Sequence, residues 1–200
     1  MIFVSFYTVD TPYEPIIKAR LLPSLKKWNL DYDIEPIKDL GGWRKNTDYK
    51  PTHLLKMLQK HKQDICFLDA DATIEKYPTL LFNIPEEYNI AVHLLDWWKF
   101  WRKQEGDGHT ELLSGTMVWK YNSQAIELLY KYIQGCVQKH TCLEQKVLSQ
   151  ILEINPQYKI YDLPPEYCCI INRDGSIPEH YVKEPIILHH QASRKHKTKG

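Results

Sequence analysis

The 200-residue chain has no long hydrophobic run and no excess of charge of either sign. No apolar stretch approaches the roughly 18 residues that a transmembrane helix needs, so the sequence predicts no membrane-spanning helix. Its 26 Lys and Arg residues are matched by 25 Asp and Glu, which argues against a surface built wholly for nucleic acid. The 8 glycines and 12 prolines follow no period, which excludes collagen-like and low-complexity chains. Hydrophobic residues make up 43% of the chain, enough to form a folded core.

Several common catalytic signatures are also missing. There is no Gly-x-Gly-x-x-Gly motif, no Walker A phosphate loop and no Gly-x-Ser-x-Gly nucleophile elbow. The five cysteines are an odd number, with no Cys-x-x-Cys pair and no zinc-finger spacing to histidine. Cys66 lies in an apolar run, where a thiol acts as a small hydrophobic group. Because the first residues also lack the features of a signal peptide, we expect a cytoplasmic protein in a reducing compartment.

The hydrophobic pattern alternates between strands and helices. Short runs of β-forming residues predict strands at 2–7, 32–37, 65–68, 90–95 and 112–119 (the last interrupted by Gly115), and around Ile160 and Ile187. Helical spacing predicts helices at 16–28, from Pro51 to His61, at 123–137 and at 141–154. Pro23 should bend or break the first helix, and Gly41-Gly42 marks a loop.

This alternation predicts an α/β fold with helices on both faces of the sheet. In such folds ligands bind beyond the carboxyl ends of the strands. No internal repeat or linker divides the chain. We therefore expect one domain over residues 1–193, followed by a loose basic tail over residues 194–200.

The segment most informative about chemistry is an apolar strand that runs directly into two aspartates, Asp69 and Asp71. Residues two apart at a strand end face the same side, so both carboxylates can reach one point. Carboxylates that close repel each other unless a cation lies between them or one is protonated. A divalent ion such as Mg²⁺ or Mn²⁺ fits, with positions left for substrate phosphates. The alternative is an exposed turn, where Asp is common.

The sequence Phe-Leu-Asp-Ala-Asp-Ala at 67–72 resembles the metal-binding signature of nucleotide-sugar glycosyltransferases of the GT-A fold, in the glycogenin-like and galactosyltransferase-like superfamily. Other segments are similar to that family in order and rough spacing along nearly the whole chain. They are residues 8–13 after the first strand, Lys50-Pro51, Ser114-Gly115, Glu144-Gln145 and a late strand ending in His189-His190. The resemblance implies a single-domain, Rossmann-like GT-A fold with a mixed, mostly parallel sheet.

The resemblance also implies roles for these residues. The donor would be a nucleoside-diphosphate sugar, with a UDP-sugar the first choice, and Mn²⁺ or Mg²⁺ would stabilise the departing diphosphate. Asp71 would hold the ion, Asp69 the ion or the ribose, and either His189 or His190 would complete the metal site. The residues expected to contact the donor are Thr8, Asp10, Tyr13, Lys50, Asp69, Ser114, Gly115 and Lys195.

Three residues are candidates for a direct catalytic role. In the retaining branch of the family the glutamine that matches Gln145 lies near the reacting sugar. An inverting enzyme needs a carboxylate base, and Glu144 and Asp96 are the candidates. Glu144 has a competing structural role, because Thr141 and Glu144 have the spacing of a helix capping box with Thr141 at the N-cap.

The acceptor is left open as a glycan, a lipid-linked sugar, a protein or a modified DNA base, with no stable membrane insertion. The aromatic segment 97–101 fits either an acceptor platform or core packing. Two other functions stay open. A nucleotidyltransferase should carry a glycine-rich loop after the first strand, and residues 8–13 contain no glycine. A non-catalytic nucleotide- or carbohydrate-binding domain is compatible with Leu113, which stands where the family has Asn.

Overall fold

Two sheets organise the part of the chain that the computed structural model describes, residues 1–139 and 142–196. The strands, numbered in chain order, are β1 Ile2–Thr8, β2 Tyr32–Ile37, β3 Ile65–Leu68, β4 Ala72–Ile74, β5 Ile90–Asp96, β6 Thr110–Trp119, β7 Ile160–Asp162, β8 Cys169–Ile170 and β9 Ile187–His189. Six form a sheet of order β2-β1-β3-β6-β5-β7, in which β6 is antiparallel to both neighbours and the other pairings are parallel. The short strands β4, β9 and β8 form the second sheet.

The helices cover both faces of the larger sheet, as predicted. They are α1 Tyr13–Ala19, α2 Leu21–Lys27, α3 Trp43–Asp48, α4 Lys50–His61, α5 Ser123–Gln138, α6 Glu144–Ile154 and α7 Ser193–His196. Buried residues of α4, α5 and α6 pack on one face, and those of α1 and α2 on the other. Among the described helices, none combines the length and apolar character required to span a membrane.

The packing of strand β3 explains why its sequence is apolar at every position. Phe67 packs into the core under α4 and α5, whereas its neighbours Cys66 and Leu68 pack into the opposite core under α1 and α2. All four residues of the strand are buried. A strand covered on both faces has no side that favours polar residues, which accounts for the continuous apolar run. The predicted coverage of both faces is confirmed, and the predicted parallel pairing holds for β1 but not for β6, which is antiparallel to β3.

The parallel strands β1, β3 and β5 end at one edge of the sheet, at Thr8, Leu68 and Asp96. Strand β6 crosses this edge and is bulged there. Val92 of β5 pairs with Met117, but the next residue pairs with Leu113, so residues 114–116 have no partner on β5. The predicted interruption at Gly115 is therefore a bulge rather than the end of the strand.

The helix predicted at 16–28 is broken, but the break does not lie at Pro23. The break lies at Arg20, between α1 and α2. Pro23 falls in the first turn of α2, where a backbone N–H has no partner within the helix and its absence costs nothing. The proline is therefore compatible with the second helix, and the chain bends three residues before it.

The predicted capping box is wrong. Helix α6 begins at Glu144, with Leu143 at the N-cap and no side-chain cap. Glu144 is thus the first helical residue, and its carboxylate binds other elements of the fold, as described below. Thr141 lies outside the described residues.

Part of the predicted loose tail is helical. Ser193–His196 form α7, and the Arg194 guanidinium donates hydrogen bonds to the carbonyl groups of Ile171 and Asn172 at 2.9 and 3.0 Å. The expectation of a loose segment is wrong for residues 194–196. Residues 197–200 lie outside the described part of the chain, and the division at residue 193 stays a prediction.

The edge strand β2 is fastened to α4 by two of its carboxylates. Glu35 and Asp33 each accept hydrogen bonds from one lysine and one histidine of that helix. Partial burial alone would raise the pKa of both carboxyl groups, but these hydrogen bonds and charges outweigh it and hold both pKa values below their usual range. The partners are His53 and Lys56 for Glu35, and His61 and Lys60 for Asp33.

We expect these two carboxylates to lose their stabilising effect in acid. A carboxyl group whose pKa falls on folding stabilises the protein above its unfolded pKa of about 4, and this is lost as the pH falls through the folded pKa. In an Asp33→Asn/Glu35→Gln variant the free energy of unfolding at pH 7 should drop by about 1 kcal/mol, and its decline with acidification should be shallower.

Urea unfolding followed by circular dichroism at several pH values checks this expectation. The exposed neighbour Asp31 supplies the control, because Asp31→Asn should leave the curve unchanged. Identical acid limbs for the double variant and the unmodified protein would contradict it.

Candidate functional site

A pocket of about 330 Å³ lies at the carboxyl edge of the larger sheet. Its wall is formed by the ends of β1 and β3, by α3 and α4, by the β6 bulge, by the start of α6 and by the chain after β9. The sequence-predicted residues that line it are Thr8, Tyr13, Lys50, Asp69, Asp71, Ser114, Glu144 and Gln145.

Strand register brings the two aspartates and one histidine together. Asp69 and Asp71 lie in the turn between β3 and β4, and β4 pairs with β9 so that Ala72 is opposite His189. One ligand atom from each of Asp69, Asp71 and His189 lies within 4.8 Å of the others. We call these three residues the Asp-Asp-His group. It joins residues that are far apart in sequence but adjacent across the second sheet.

The atoms of the Asp-Asp-His group fit a divalent cation. The Nδ1 atom of His189 is buried, lacks a hydrogen-bond partner and lies 3.9 Å from Oδ1 of Asp71. Burial alone would lower the pKa of His189, but Cys168 and the carboxylates of Asp69 and Asp71 raise it to about 9. The surroundings of the imidazole ring therefore favour positive charge. Mn²⁺ binds a ligand set of two carboxylates and one imidazole. Mg²⁺ prefers oxygen ligands, but it tolerates the same set.

His190 does not belong to the Asp-Asp-His group. Its Nε2 atom is instead 3.0 Å from Oγ1 of Thr73, in β4. Burial lowers the pKa of His190, in contrast to that of His189. Of the two histidines that the sequence left as rivals, the structure places His189 with the aspartates.

Lys50 places a buried ammonium at the pocket. Its Nζ atom lies 3.1 Å from Oδ1 of Asp69 and 2.9 Å from Oε1 of Glu144, and it donates to the carbonyl and the hydroxyl of Ser114, both at 3.1 Å. Burial alone would lower the pKa of Lys50, but the charges of Asp69 and Glu144 outweigh it and raise the pKa. These four acceptors engage all three N–H donors. Lys50 therefore holds the protein's own carboxylates rather than offering a free charge to a ligand.

The adjacent residues Glu144 and Gln145 have different surroundings. Glu144 is 6% exposed, and its carboxylate accepts hydrogen bonds from Ser114 Oγ at 3.0 Å and from the hydroxyl of Tyr132 at 2.6 Å, besides its ion pair with Lys50. Gln145 accepts from the Ser114 backbone N–H at 3.1 Å and donates to Glu111 at 3.1 Å. Glu144 thus holds the start of α6 against the core, and Gln145 forms part of the pocket wall.

Four predicted site residues lie away from this arrangement. Besides His190, Asp96 receives the backbone N–H of Lys99 at the end of β5 and does not line the pocket. Asp10 is exposed in a turn with a φ of 58°. Lys195 is exposed on α7 and does not line the pocket either. Gly115 contributes through its backbone, since its carbonyl accepts the N–H of Asp69 at 2.9 Å.

The sequence did not predict two parts of the pocket wall. Helix α3 contributes Trp43, Asn46 and Thr47, but six residues are too short to show helical periodicity. The glycine pair before it indicates only a loop. Gln191 and Ser193 follow the histidines, and the intervening Ala192 donates its N–H to Asp71 Oδ2 at 2.6 Å. No sequence signal marks this hydrogen bond, which fixes the C-terminal segment at the pocket.

Tyr13 lines the same pocket as a neutral phenol. Burial, opposed by a hydrogen bond with Trp43, raises its pKa to about 12, and the carboxylates of Asp71 and Asp69 add to the rise. Tyr13 thus presents an aromatic surface without charge beside the Asp-Asp-His group.

Removing the Lys50 charge should destabilise the fold strongly. Lys50→Met keeps most of the volume but leaves Asp69 and Glu144 without their shared cation, and breaking a buried pair in this way costs about 3–5 kcal/mol. Lys56→Met, an exposed ion-paired lysine of the same helix, should cost less than about 1 kcal/mol. Adding Glu144→Gln to Lys50→Met should recover part of the loss. Urea unfolding of the four proteins tests this, and equal costs for the two lysine variants would contradict it.

Gly115 should be needed for the Asp-Asp-His group to form. A Cβ atom at this position would lie 2.8 Å from Cε1 of His189 and 3.2 Å from Oδ2 of Asp69. Gly115→Ala should therefore displace the imidazole, lower the thermal stability and weaken Mn²⁺ binding at least tenfold, as measured by isothermal titration calorimetry. His189→Ala should cost less stability in the Gly115→Ala background than alone, because the overlap is then gone. Unchanged Mn²⁺ affinity in Gly115→Ala would contradict this reading.

Comparison with known proteins finds similarity in structure but not in sequence. No family model matches the sequence, and no curated protein matches it. A glycosyltransferase involved in glycosylation of the major capsid of PBCV-1 aligns with a TM-score of 0.67 at 14% identity, over 96% of this chain and 92% of its own. Mouse xyloside xylosyltransferase 1 aligns with a TM-score of 0.60 at 12% identity, over 96% and 99%. The galactosyltransferase LgtC, solved with donor and acceptor sugar analogues, aligns with a TM-score of 0.57 at 9% identity, over 96% and 87%.

At these identities the likeness concerns the arrangement of the chain. It extends over nearly the whole length of each protein, and it agrees with the mixed six-stranded sheet and with the helices on both of its faces. The protein has the GT-A glycosyltransferase fold.

Proposed function

We propose that the protein is a metal-dependent glycosyltransferase, which moves a sugar from a nucleoside-diphosphate sugar to an acceptor hydroxyl. The observation that carries this proposal is the Asp-Asp-His group, with an unpartnered histidine nitrogen, beside a pocket at the carboxyl edge of a GT-A fold. The three structural neighbours described above are named as glycosyltransferases, which supports the same reaction class.

The charges around the pocket support a divalent ion in particular. Asp69, Asp71 and Glu144 carry three negative charges in or beside the Asp-Asp-His group, and Lys50 balances one of them. A cation of charge two would neutralise the remainder. When bound, such an ion supplies positive charge to the diphosphate leaving group. Asp69 and Asp71 would hold the ion, and His189 would complete its protein ligands.

The pocket suits a nucleotide sugar in size and surface. Its volume falls within the range typical of small-molecule sites. Tyr13, Trp43 and Phe6 give it aromatic surfaces on which a nucleobase can stack, and Thr8 borders the same space. We therefore infer that the base lies against the wall formed by α1 and α3, with the diphosphate toward Asp71. A UDP-sugar is the donor that we propose to test first.

The surroundings of the two carboxylate candidates favour transfer with retention of stereochemistry. An inverting enzyme needs a free carboxylate beside the acceptor. Both oxygens of Glu144 are already engaged, and Asp96 lies outside the pocket. Among the described residues that line the pocket, the remaining acidic side chains are Asp69 and Asp71, which we assign to the ion. Gln145, at the wall, would contact the reacting sugar.

Neither alternative function gains support from the structure. The segment after β1 leads into α1 without the glycine-rich loop that a nucleotidyltransferase requires. A non-catalytic binding domain would bind the donor without turnover, which the experiment below detects. All five cysteines are free thiols, in agreement with the reducing cytoplasm that we propose as the location. The acceptor class stays open among a glycan, a lipid-linked sugar, a protein and a modified DNA base.

The test is a screen of nucleotide sugars with and without Mn²⁺ by thermal shift, followed by donor hydrolysis. A donor at a hundred times its dissociation constant should stabilise the protein by about 2.7 kcal/mol. Asp71→Asn should abolish the metal-dependent part, while it retains an oxygen that can accept the Ala192 N–H. The exposed Asp174→Asn is the matched control.

Each result of the screen has a definite meaning. A metal-dependent shift with slow hydrolysis of one donor, lost in Asp71→Asn and kept in Asp174→Asn, supports the transferase. Binding without any hydrolysis or transfer points to the binding domain. If no nucleotide sugar shifts the melting temperature in either metal condition, the proposed function is wrong.

A further inference from the structure

We infer that Thr116 is a positioning residue, whose hydroxyl holds the His189 ring so that Nδ1 presents its lone pair to a cation shared with the two aspartates. Thr116 is fully buried, and its Oγ1 lies 2.8 Å from Nε2 of His189. The hydroxyl is thus on the far side of the ring from Asp71, which faces Nδ1. The inference rests on the cation site of the proposed function, but not on the identity of any sugar donor.

The position of Thr116 in the bulge gives the contact its geometry. Residues 114–116 leave the β5 ladder together, and each touches a different part of the site. Ser114 accepts hydrogen bonds from Lys50, the Gly115 carbonyl accepts the N–H of Asp69, and Thr116 contacts His189. Thr116 also pairs with Leu68 in β3, which fixes its backbone. A rigid, buried hydroxyl at the ring edge can orient the imidazole as packing alone cannot.

The chemistry of imidazole explains why this contact matters. A neutral imidazole carries one N–H, and the other nitrogen has the lone pair that binds a metal. A hydroxyl oxygen can accept a hydrogen bond from Nε2–H, which keeps the proton on Nε2 and leaves Nδ1 bare. Partners of this kind orient metal-binding histidines, and their loss typically weakens metal affinity by about 10–100-fold. The absence of a hydrogen-bond partner on Nδ1 agrees with that assignment.

The next residue provides an internal comparison. His190 has the same kind of partner, since Thr73 Oγ1 lies 3.0 Å from its Nε2. Yet His190 is outside the Asp-Asp-His group. Removing the Thr73 hydroxyl therefore shows what the loss of a threonine–histidine contact does to Mn²⁺ affinity away from the proposed cation site. Removing the Thr116 hydroxyl shows what the same loss does beside it.

The experiment measures Mn²⁺ affinity by calorimetry in the absence of any nucleotide. Thr116→Val, which removes the hydroxyl at nearly constant shape, should weaken Mn²⁺ binding 10–100-fold. Thr116→Ser should restore affinity to within about threefold, and the control Thr73→Val should leave it within the same limit. If Thr116→Val does not fold, Thr116→Ala removes the same hydroxyl without adding volume. Unchanged Mn²⁺ affinity in the folded variant overturns the inference.

A spectroscopic measurement gives a readout that a merely structural role would not change. In the Mg²⁺-loaded protein, nitrogen-15 NMR of the histidine rings should show His189 protonated at Nε2 and bare at Nδ1, and Thr116→Val should lose that single tautomer. A proton on Nδ1, or no binding of either ion by the unmodified protein, overturns the inference. Intact Mn²⁺ binding without any donor binding would instead contradict the proposed function and leave this inference standing.

Discussion

A buried ammonium between two carboxylates is the interaction on which the site depends. Lys50 joins Asp69, which follows β3, to Glu144, which begins α6. Without a cation at this point, the buried carboxylate of Glu144 would lie near that of Asp69 with no opposite charge beside it, and burying an unpaired charge costs several kcal/mol. With it, the end of a central strand, the start of two helices and the β6 bulge are held in one arrangement. These elements, which the Lys50 ammonium holds in contact, form the wall of the pocket.

The bulge in β6 explains how one strand can serve several functional groups. A regular strand would present residues 114 and 116 to the same face and pair all three with β5. Because the bulge releases them, Ser114 reaches Lys50, the carbonyl of Gly115 reaches Asp69, and Thr116 reaches His189. The absent side chain of Gly115 leaves the space that the imidazole fills. The regular sheet geometry is therefore interrupted where β6 contacts Lys50 and the Asp-Asp-His group.

The sequence predicts what is local and misses what depends on distant contacts. The β3 strand and the Asp69–Asp71 pair are readable because a buried strand followed by two acids is one continuous pattern. The choice between His189 and His190 needs the pairing of β4 with β9, which no pattern contains. Glu144 suggested a capping box because the spacing to Thr141 is correct, but Lys50, Ser114 and Tyr132 provide stronger partners in three dimensions.

The distribution of positive charge also bears on how the pocket would treat a diphosphate. Among the described lining residues, Lys50 is the sole basic side chain, and its donors are already used by the protein. Two carboxylates face the same space, and they would repel phosphate oxygens. A nucleoside diphosphate therefore gains little binding energy from the charges of the lining side chains. The positive charge that offsets its own charge has to come from a bound cation. On this electrostatic ground the binding of donor and the binding of a divalent cation should be tightly coupled, because each neutralises charge that the other would otherwise meet.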